Sequence, residues 1–339
     1  MTEDYIASLP VKEFSELVTS LRGRRVAVLG HARPDGDCIG SQVALTRILR
    51  QQEVDAFAVN GDPVPRVLQE LVADTPFHGA DGIPEEDVIT AITVDCADAN
   101  RMGKQLASRF PEILLNIDHH VSNAQYAQEN FVFAESSATA EILAQLFFAA
   151  GYPVDATTAS ALYAGIATDT GQFRYQSTSP MVFSLCARLC EHGAVPFAIA
   201  KDIYERESPA KLALLQRYLQ SFRYHCGGRA CVGILTQRDW QETKATSEDT
   251  EGLVDYARSI DGVAIGVLVE ERPDGTLKGS FRAKDPVHRV DQLAALFHGG
   301  GHACAAGFTP QESTTKEFLP RLEEALQSHF QQLEQNQPA

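Results

Sequence analysis

Basic residues are in short supply in this 339-residue sequence: 29 Lys and Arg stand against 45 Asp and Glu, for a formal net charge of −16. Proteins that coat long duplex DNA rely on many Lys/Arg contacts to phosphate, so that partner is excluded. A small anionic substrate, held by metal ions and a few local cations, is compatible with the charge. No apolar stretch approaches the ~18 residues needed to span a bilayer, so no membrane partner is expected. The opening MTEDYIASLP has neither a basic n-region nor an apolar h-region. It does not read as a signal peptide, and the expected location is cytoplasmic. Seven cysteines are present, yet none forms a Cys-x-x-Cys pair, which argues against a zinc ribbon or a thioredoxin-like motif. An odd count without a framework spacing fits a reducing compartment. Cys186 and Cys190, at i and i+4, read as core thiols. There is no internal repeat and no low-complexity segment.

What is there looks globular. Hydrophobic residues make up 44% and charged residues 22% of the chain, and the length allows two domains with proper cores. Residues 24–30 (RRVAVLG) read as a buried strand, His31–Asp37 as a loop containing Pro34 and Gly36, and Gly40–Gln51 as a helix. The pattern recurs. Val54–Asn60, Asp87–Asp95 and Glu112–Asp118 read as strands, the last two ending on acids; Ser137–Ala150 and Thr157–Thr168 read as helices. The expected fold class is α/β: an N-terminal, mostly parallel-sheet domain over residues 1–190. Residues 191–225 form a helical connector, within a stretch from about Ser179 to Phe222 that reads as helix broken at Gly193, Pro196 and Pro209. A smaller α+β domain fills 226–335. Its expected strands are Arg229–Leu235, Gly262–Glu270 and Thr276–Arg282, with Arg272-Pro-Asp-Gly275 as a hairpin turn. Its expected helices are Val290–Phe297 and Thr314–Gln332.

Asp and His residues gather at the ends of the apolar runs. They occur as His31-Ala-Arg-Pro-Asp35-Gly-Asp37, Val94-Asp95-Cys-Ala-Asp98, Ile117-Asp118-His119-His120 and Ala167-Thr-Asp169-Thr-Gly171. Carboxylates and imidazoles together suit a site for two divalent cations, which clamps and hydrolyses phosphate esters. Asp35 and Asp37 can face two different ions from a loop, with His31 able to join either; the competing reading is that the acids cap the following helix. Asp95 reads as a ligand and Asp98 as the cap of a polar turn. Asp118 can accept from an imidazole and orient it. Asp169 reads either as a ligand or as a plain loop acid. Late in the chain, His298-Gly-Gly-Gly-His302 offers backbone N–H groups that can cradle a phosphate, or is simply a flexible loop. Arg282 reads as a bidentate phosphate partner or as a surface Arg.

In this order, the motifs resemble the DHH phosphoesterase superfamily, over about residues 24 to 308. The Gly-rich element resembles the first type of DHH-associated C-terminal domain, not the type in family II inorganic pyrophosphatases. The two-domain length resembles the stand-alone bacterial nanoRNase/pAp phosphatase group. That resemblance implies that His31 and Asp35 bind one ion, that Asp37, His119 and Asp169 bind the other, and that Asp95 bridges them. The ions implied are Mn²⁺, with Mg²⁺ or Co²⁺ as alternatives. His120 and Asp95 would serve catalysis, with Asp118 behind them. Arg282, Gly299, Gly300, Gly301 and His302 would hold the substrate's terminal phosphate. His298 departs from the group, which often has a further Gly there. The activity implied is hydrolysis of short 5′-phosphorylated RNA to nucleoside monophosphates, with dephosphorylation of pAp to AMP, in a homodimer. The alternatives are a cytosolic pApA or cyclic di-AMP phosphodiesterase and a RecJ-like single-strand exonuclease.

Overall fold

The computed structural model describes residues 9–83 and 88–336. Two compact units divide the chain between Arg206 and Glu207. The division falls inside the span read from sequence as a connector: one helix of that span belongs to the first unit and the next to the second.

The first unit is built on strands β1 (Arg25–Leu29), β2 (Asp55–Asn60), β3 (Phe77–Gly79), β4 (Thr90–Val94), β5 (Leu115–Asp118) and β6 (Glu129–Val132). They pair in the order β3-β2-β1-β4-β5-β6, and every pairing is parallel. Alternation along β1 explains why both faces are covered. Val26 and Val28 enter one core with Ile92, Val94, Leu115 and Ile117. Ala27 and Leu29 enter a second core with Phe57, Val59 and Ala91. Helices α1 (Val11–Ser20), α2 (Gly36–Gln51), α5 (Thr139–Ala150), α6 (Ala156–Asp169) and α7 (Pro180–Glu191) feed the first core; α3 (Gln69–Val72) lies at its edge. Helix α4 (Lys104–Arg109) serves the second through Leu106. Helix α8 (Pro196–Tyr204) adds Ile199 to the first core. Strand order reverses between β1 and β4, and in open parallel sheets the crevice beyond such a reversal is where ligands collect.

Several sequence expectations need correction. Helix α2 starts at Gly36 rather than Gly40, because Asp35 caps it: one carboxylate oxygen accepts from the backbone N–H of Asp37 at 3.1 Å and of Cys38 at 3.0 Å. Asp37 therefore stands on the first turn of a helix and not on a loop. Strands β4 and β5 are shorter than expected, and Asp87 lies outside the described residues. Strands β3 and β6 were not expected at all. Of the paired thiols, Cys186 is buried but Cys190 is exposed, so only the first is a core residue.

The second unit is a mixed sheet of β7 (Arg223–His225), β8 (Ala230–Leu235), β9 (Ile265–Glu271), β10 (Leu277–Ala283), β11 (Gly300–His302) and β12 (Ala305–Phe308), in the order β11-β12-β10-β9-β8-β7. The expected turn joins β9 to β10: Gly275 N–H donates to Arg272 O at 2.9 Å and Arg272 N–H to Thr276 O at 2.8 Å. Helices α12 (Val290–Ala295) and α13 (Thr315–Asn336) cover one face over Val267, Phe281 and Phe308. Helices α9 (Pro209–Gln220) and α11 (Leu253–Ser259) cover the other over Leu268; α10 (Gln237–Thr243) follows β8. No single helix among the described residues is long and apolar enough to cross a membrane.

Candidate metal centre

The acidic and imidazole residues of the first unit converge beyond the carboxyl ends of β1, β4 and β5. Asp95, just past β4, is the hub. It is 2% exposed and has a left-handed backbone, φ 53°, a conformation Asp tolerates better than most residues. One of its carboxylate oxygens lies 3.3 Å from His31 Nε2. The other lies 3.6 Å from His119 Nε2 and 3.5 Å from His120 Nδ1, and accepts from Thr139 Oγ1 at 3.4 Å.

Both candidate ligand histidines are held from behind. His31 Nδ1 lies 2.9 Å from Ala32 O and His119 Nδ1 lies 3.3 Å from Ser136 O. A carbonyl only accepts, so each Nδ1 carries a hydrogen and each Nε2 is the atom turned to the carboxylates, where it takes up either a proton or an ion. His31 Nε2 is 3.7 Å from Asp35. His119 Nε2 is 3.2 Å from Asp169 and 3.9 Å from Asp37.

Asp37 has no exposure. Its oxygens accept from the backbone N–H of Thr139 at 2.7 Å and of Ala140 at 2.8 Å, the first residues of α5. It thus closes the N-terminus of another helix while facing His119. Asp169 is the last residue of α6. Helices α2 and α6 approach closely because glycines meet there: a Cβ on Gly40 would lie 2.3 Å from Ala161 O, and one on Gly165 2.6 Å from Ala140 Cβ. This approach sets Asp37 and Asp169 against the same imidazole.

The electrostatics are those of a crowded anionic shell. Burial, with Asp95 and Asp169 adding repulsion, pushes the Asp37 carboxyl well above its ordinary range. Burial also lifts Asp169 to about 6; Asp35 and Asp95 add to this and His119 opposes it. Burial disfavours charge on His119, but Asp169, Asp95 and Asp37 outweigh it and hold the imidazole well above its usual value. His31 is raised too, against its own burial, by Cys38, Asp35 and Asp95. Asp35 is lowered despite burial, chiefly by its hydrogen bond with His31. Protons occupy such a site where a cation would fit. The donor set, carboxylate oxygens and imidazole lone pairs, suits a divalent ion.

Asp118 and His120 stand beside the shell. Asp118 is fully buried; its Oδ1 lies 2.7 Å from His120 Nδ1, and its Oδ2 accepts from Asn123 Nδ2 at 2.6 Å. Those bonds lower the Asp118 pKa although burial opposes the shift. Asp98 is the cap of the turn Ala99–Met102, accepting from Asn100 N–H at 2.7 Å.

Sequence reasoning passed over two residues. Arg101 donates to His120 Nε2 at 2.9 Å; its place in a polar turn gives no local sign of that contact. Cys38 joins His31 and Asp95 in a potential ligand group. Its thiol is pushed up to about 11 by burial, and only the Asp35-Gly-Asp37-Cys38 adjacency could have pointed to it.

In the second unit, Arg282, Ala305 and His302 form one row across β10, β12 and β11. Directly opposed residues share a sheet face, so Arg282 and His302 stand on the same face about 10 Å apart. The glycine run is not a free loop. Gly300 and Gly301 pair with β12. A Cβ on Gly299 would lie 2.1 Å from Gly307 O, and one on Gly301 2.5 Å from Ala305 O. Two of the three glycines are thus required by backbone packing.

An all-parallel sheet carrying this shell at its reversal point defines a phosphoesterase of the kind that works through divalent ions. Within that class the chain belongs to the DHH family: residues 25–166 match the DHH family N-terminal domain and residues 225–328 match the DHHA1 domain. It is 28% identical over 316 residues, 93% of each chain, to the bifunctional oligoribonuclease and PAP phosphatase NrnA of Thermus thermophilus. It is 28% identical over 290 residues, 82% of this chain and 86% of the relative, to the protein of the same name in Bacillus subtilis. Among solved structures, an exopolyphosphatase-related protein from Bacteroides fragilis shares the fold at a TM-score of 0.87 and 23% identity, covering 96% of this chain and 97% of that one. RecJ from Thermus thermophilus in complex with Mn²⁺ shares it at 0.53 and 17%, covering 94% and 55%.

Proposed function

We propose that this protein hydrolyses short 5′-phosphorylated oligoribonucleotides to nucleoside monophosphates and removes the 3′-phosphate of pAp. The convergence of two Nε2 atoms on the Asp95 carboxylate, with Asp37 and Asp169 against one of them, carries the reading. The names borne by the Thermus and Bacillus relatives support the substrate class.

His31 and Asp35 would hold one divalent ion, Asp37, His119 and Asp169 a second, and Asp95 both. Four carboxylates match the charge of two such ions, and Mn²⁺ is the ion we assign. Bound there, the ions would lower the pKa of a coordinated water and neutralise charge on the phosphate. The water oxygen bonds to phosphorus as the ester P–O bond breaks, and the departing oxygen takes up a proton. Asp118 keeps the hydrogen of His120 on Nδ1, so the ring is oriented before substrate arrives. Arg282 and His302, with the backbone of Gly299, Gly300 and Gly301, bind a terminal phosphate of the substrate. The same reading carries a homodimer acting in the cytoplasm.

A product time course on a 5′-labelled pentanucleotide, a 24-mer and pAp tests this, with Mn²⁺ added after chelation. The expected result is fast loss of the pentamer, slow loss of the 24-mer and phosphate release from pAp. Efficient digestion of the 24-mer would replace the reading with a RecJ-like exonuclease. Inactivity on all three, with turnover of pApA or cyclic di-AMP, would replace it with a dinucleotide phosphodiesterase.

A further inference from the structure

Arg101 is an exposed residue on a rigid turn. Asp98 caps that turn, Arg101 N–H donates to Asp98 O at 2.9 Å, and Arg101 O accepts from Ala32 N–H at 2.6 Å. The last bond pins the turn to the segment carrying His31. The guanidinium reaches inward to His120 Nε2 at 2.9 Å.

A guanidinium can only donate, so His120 Nε2 must accept and its hydrogen must lie on Nδ1. Nδ1 in turn meets Asp118 Oδ1 at 2.7 Å. The three side chains form one line from a fully buried carboxylate to an exposed cation. Among the described residues, Arg101 spends one of its five N–H donors on this bond and makes no other side-chain hydrogen bond.

With two divalent ions bound, the four carboxylates are neutralised and leave no surplus positive charge for the phosphate; an Arg fork at the margin of the shell supplies it in the geometry that matches two phosphate oxygens. We propose that Arg101 is a catalytic residue: braced on His120, its guanidinium takes the non-bridging oxygens of the scissile phosphate and stabilises the charge that builds there as the ester bond breaks. His120 acts through Arg101 as a positioning residue, since its Nε2 lone pair is already committed. The assignment rests on the phosphoesterase reading above.

The test uses the full chain loaded with Mn²⁺, with pentanucleotide and pAp as substrates. Wild type, Arg101→Met, Arg101→Lys and the surface control Lys104→Met are measured side by side. The expected result is a fall in kcat of about a hundredfold or more for Arg101→Met, with melting temperature and Mn²⁺ affinity by calorimetry unchanged. Added guanidinium should restore part of the lost rate, and Arg101→Lys should recover little, because an ammonium is a point charge without the fork. Lys104→Met should match wild type. Wild-type rates in Arg101→Met would overturn the assignment. So would a rate loss matched by a loss of Mn²⁺ affinity, since the residue would then serve the metal shell. A wild type that turns over neither substrate would instead overturn the functional reading, and the role of Arg101 with it.

Discussion

Gly165 leaves no room for a side chain against Asp37: a Cβ there would sit 2.9 Å from the Asp37 Oδ1 and 2.6 Å from Ala140 Cβ. A glycine with no ligand atom therefore governs where a ligand oxygen stands. Gly165→Ala must push α6 away from α2 or displace the carboxylate. Overpacking of this kind costs about 1–3 kcal/mol. The expected outcome is a lower melting temperature together with weaker Mn²⁺ binding by calorimetry. A destabilised variant with intact Mn²⁺ affinity would show that Asp37 is not set by this contact.

Asp118→Asn tests the orientation of His120. The amide has nearly the same shape, but it presents either an N–H₂ toward the Nδ1–H of His120 or one toward the Nδ2 of Asn123, and both neighbours are donors. Loss of such a backing group commonly costs ten- to a hundredfold in activity. We expect kcat to fall in about that range while Mn²⁺ affinity stays near wild type. An unchanged kcat would remove Asp118 from the functional assembly.

Protonation of Asp169 should compete with the ion. Its carboxyl titrates at about 6, so Mn²⁺ affinity should strengthen as pH rises from 5 to 7.5 and protons leave the site. In chelator the sign reverses for stability. The folded value lies above the unfolded one, so this group favours the folded state at low pH, and that contribution is lost as pH rises through about 6. Asp169→Asn should flatten both dependences, which calorimetry and thermal melts read separately.

The second unit should respond to acid in the opposite direction. His288 and His329 are half-buried, with ring nitrogens 3.4 Å apart. Burial lowers His288, with Arg229 adding and Asp285 opposing. Burial and then His288 lower His329. Folded values below the ordinary imidazole range mean that the unfolded chain binds the protons first. Stability is present above about pH 6.5 and is lost as pH falls through the lowered values. With ions absent, His329→Gln should reduce the fall in melting temperature between pH 7 and 5. An unaltered slope would assign that fall to other groups.

The sequence was most legible where burial is strongest. β1, β2, β4 and β5 announce themselves because apolar residues fill both faces, and the acids stand out because apolar runs end on them. Phe77–Gly79 and Glu129–Val132 are short edge strands of mixed polarity, with no periodicity to read; only their neighbours make them strands. Asp37 was misplaced because the capping by Asp35 starts α2 four residues earlier than hydrophobic periodicity suggests. The strand pairing of the glycine run was not legible because its partner is β12, and the need for small residues there comes from that strand's backbone. Arg101 was passed over because an Arg on a polar turn carries no local mark of what its side chain reaches.

The strand order also has a consequence for synthesis. β1 pairs with β2 on one side, but on the other it waits for β4, and the shell facing it is closed by Asp169 at the end of α6. A nascent chain that has not yet released residue 169 from the ribosome has its early carboxylates without their last partner, and the glycine groove of α2 without the helix that covers it. Parallel pairing of this kind is non-local and forms late. The first unit is made first, yet its carboxylate shell therefore closes only after α6 has emerged.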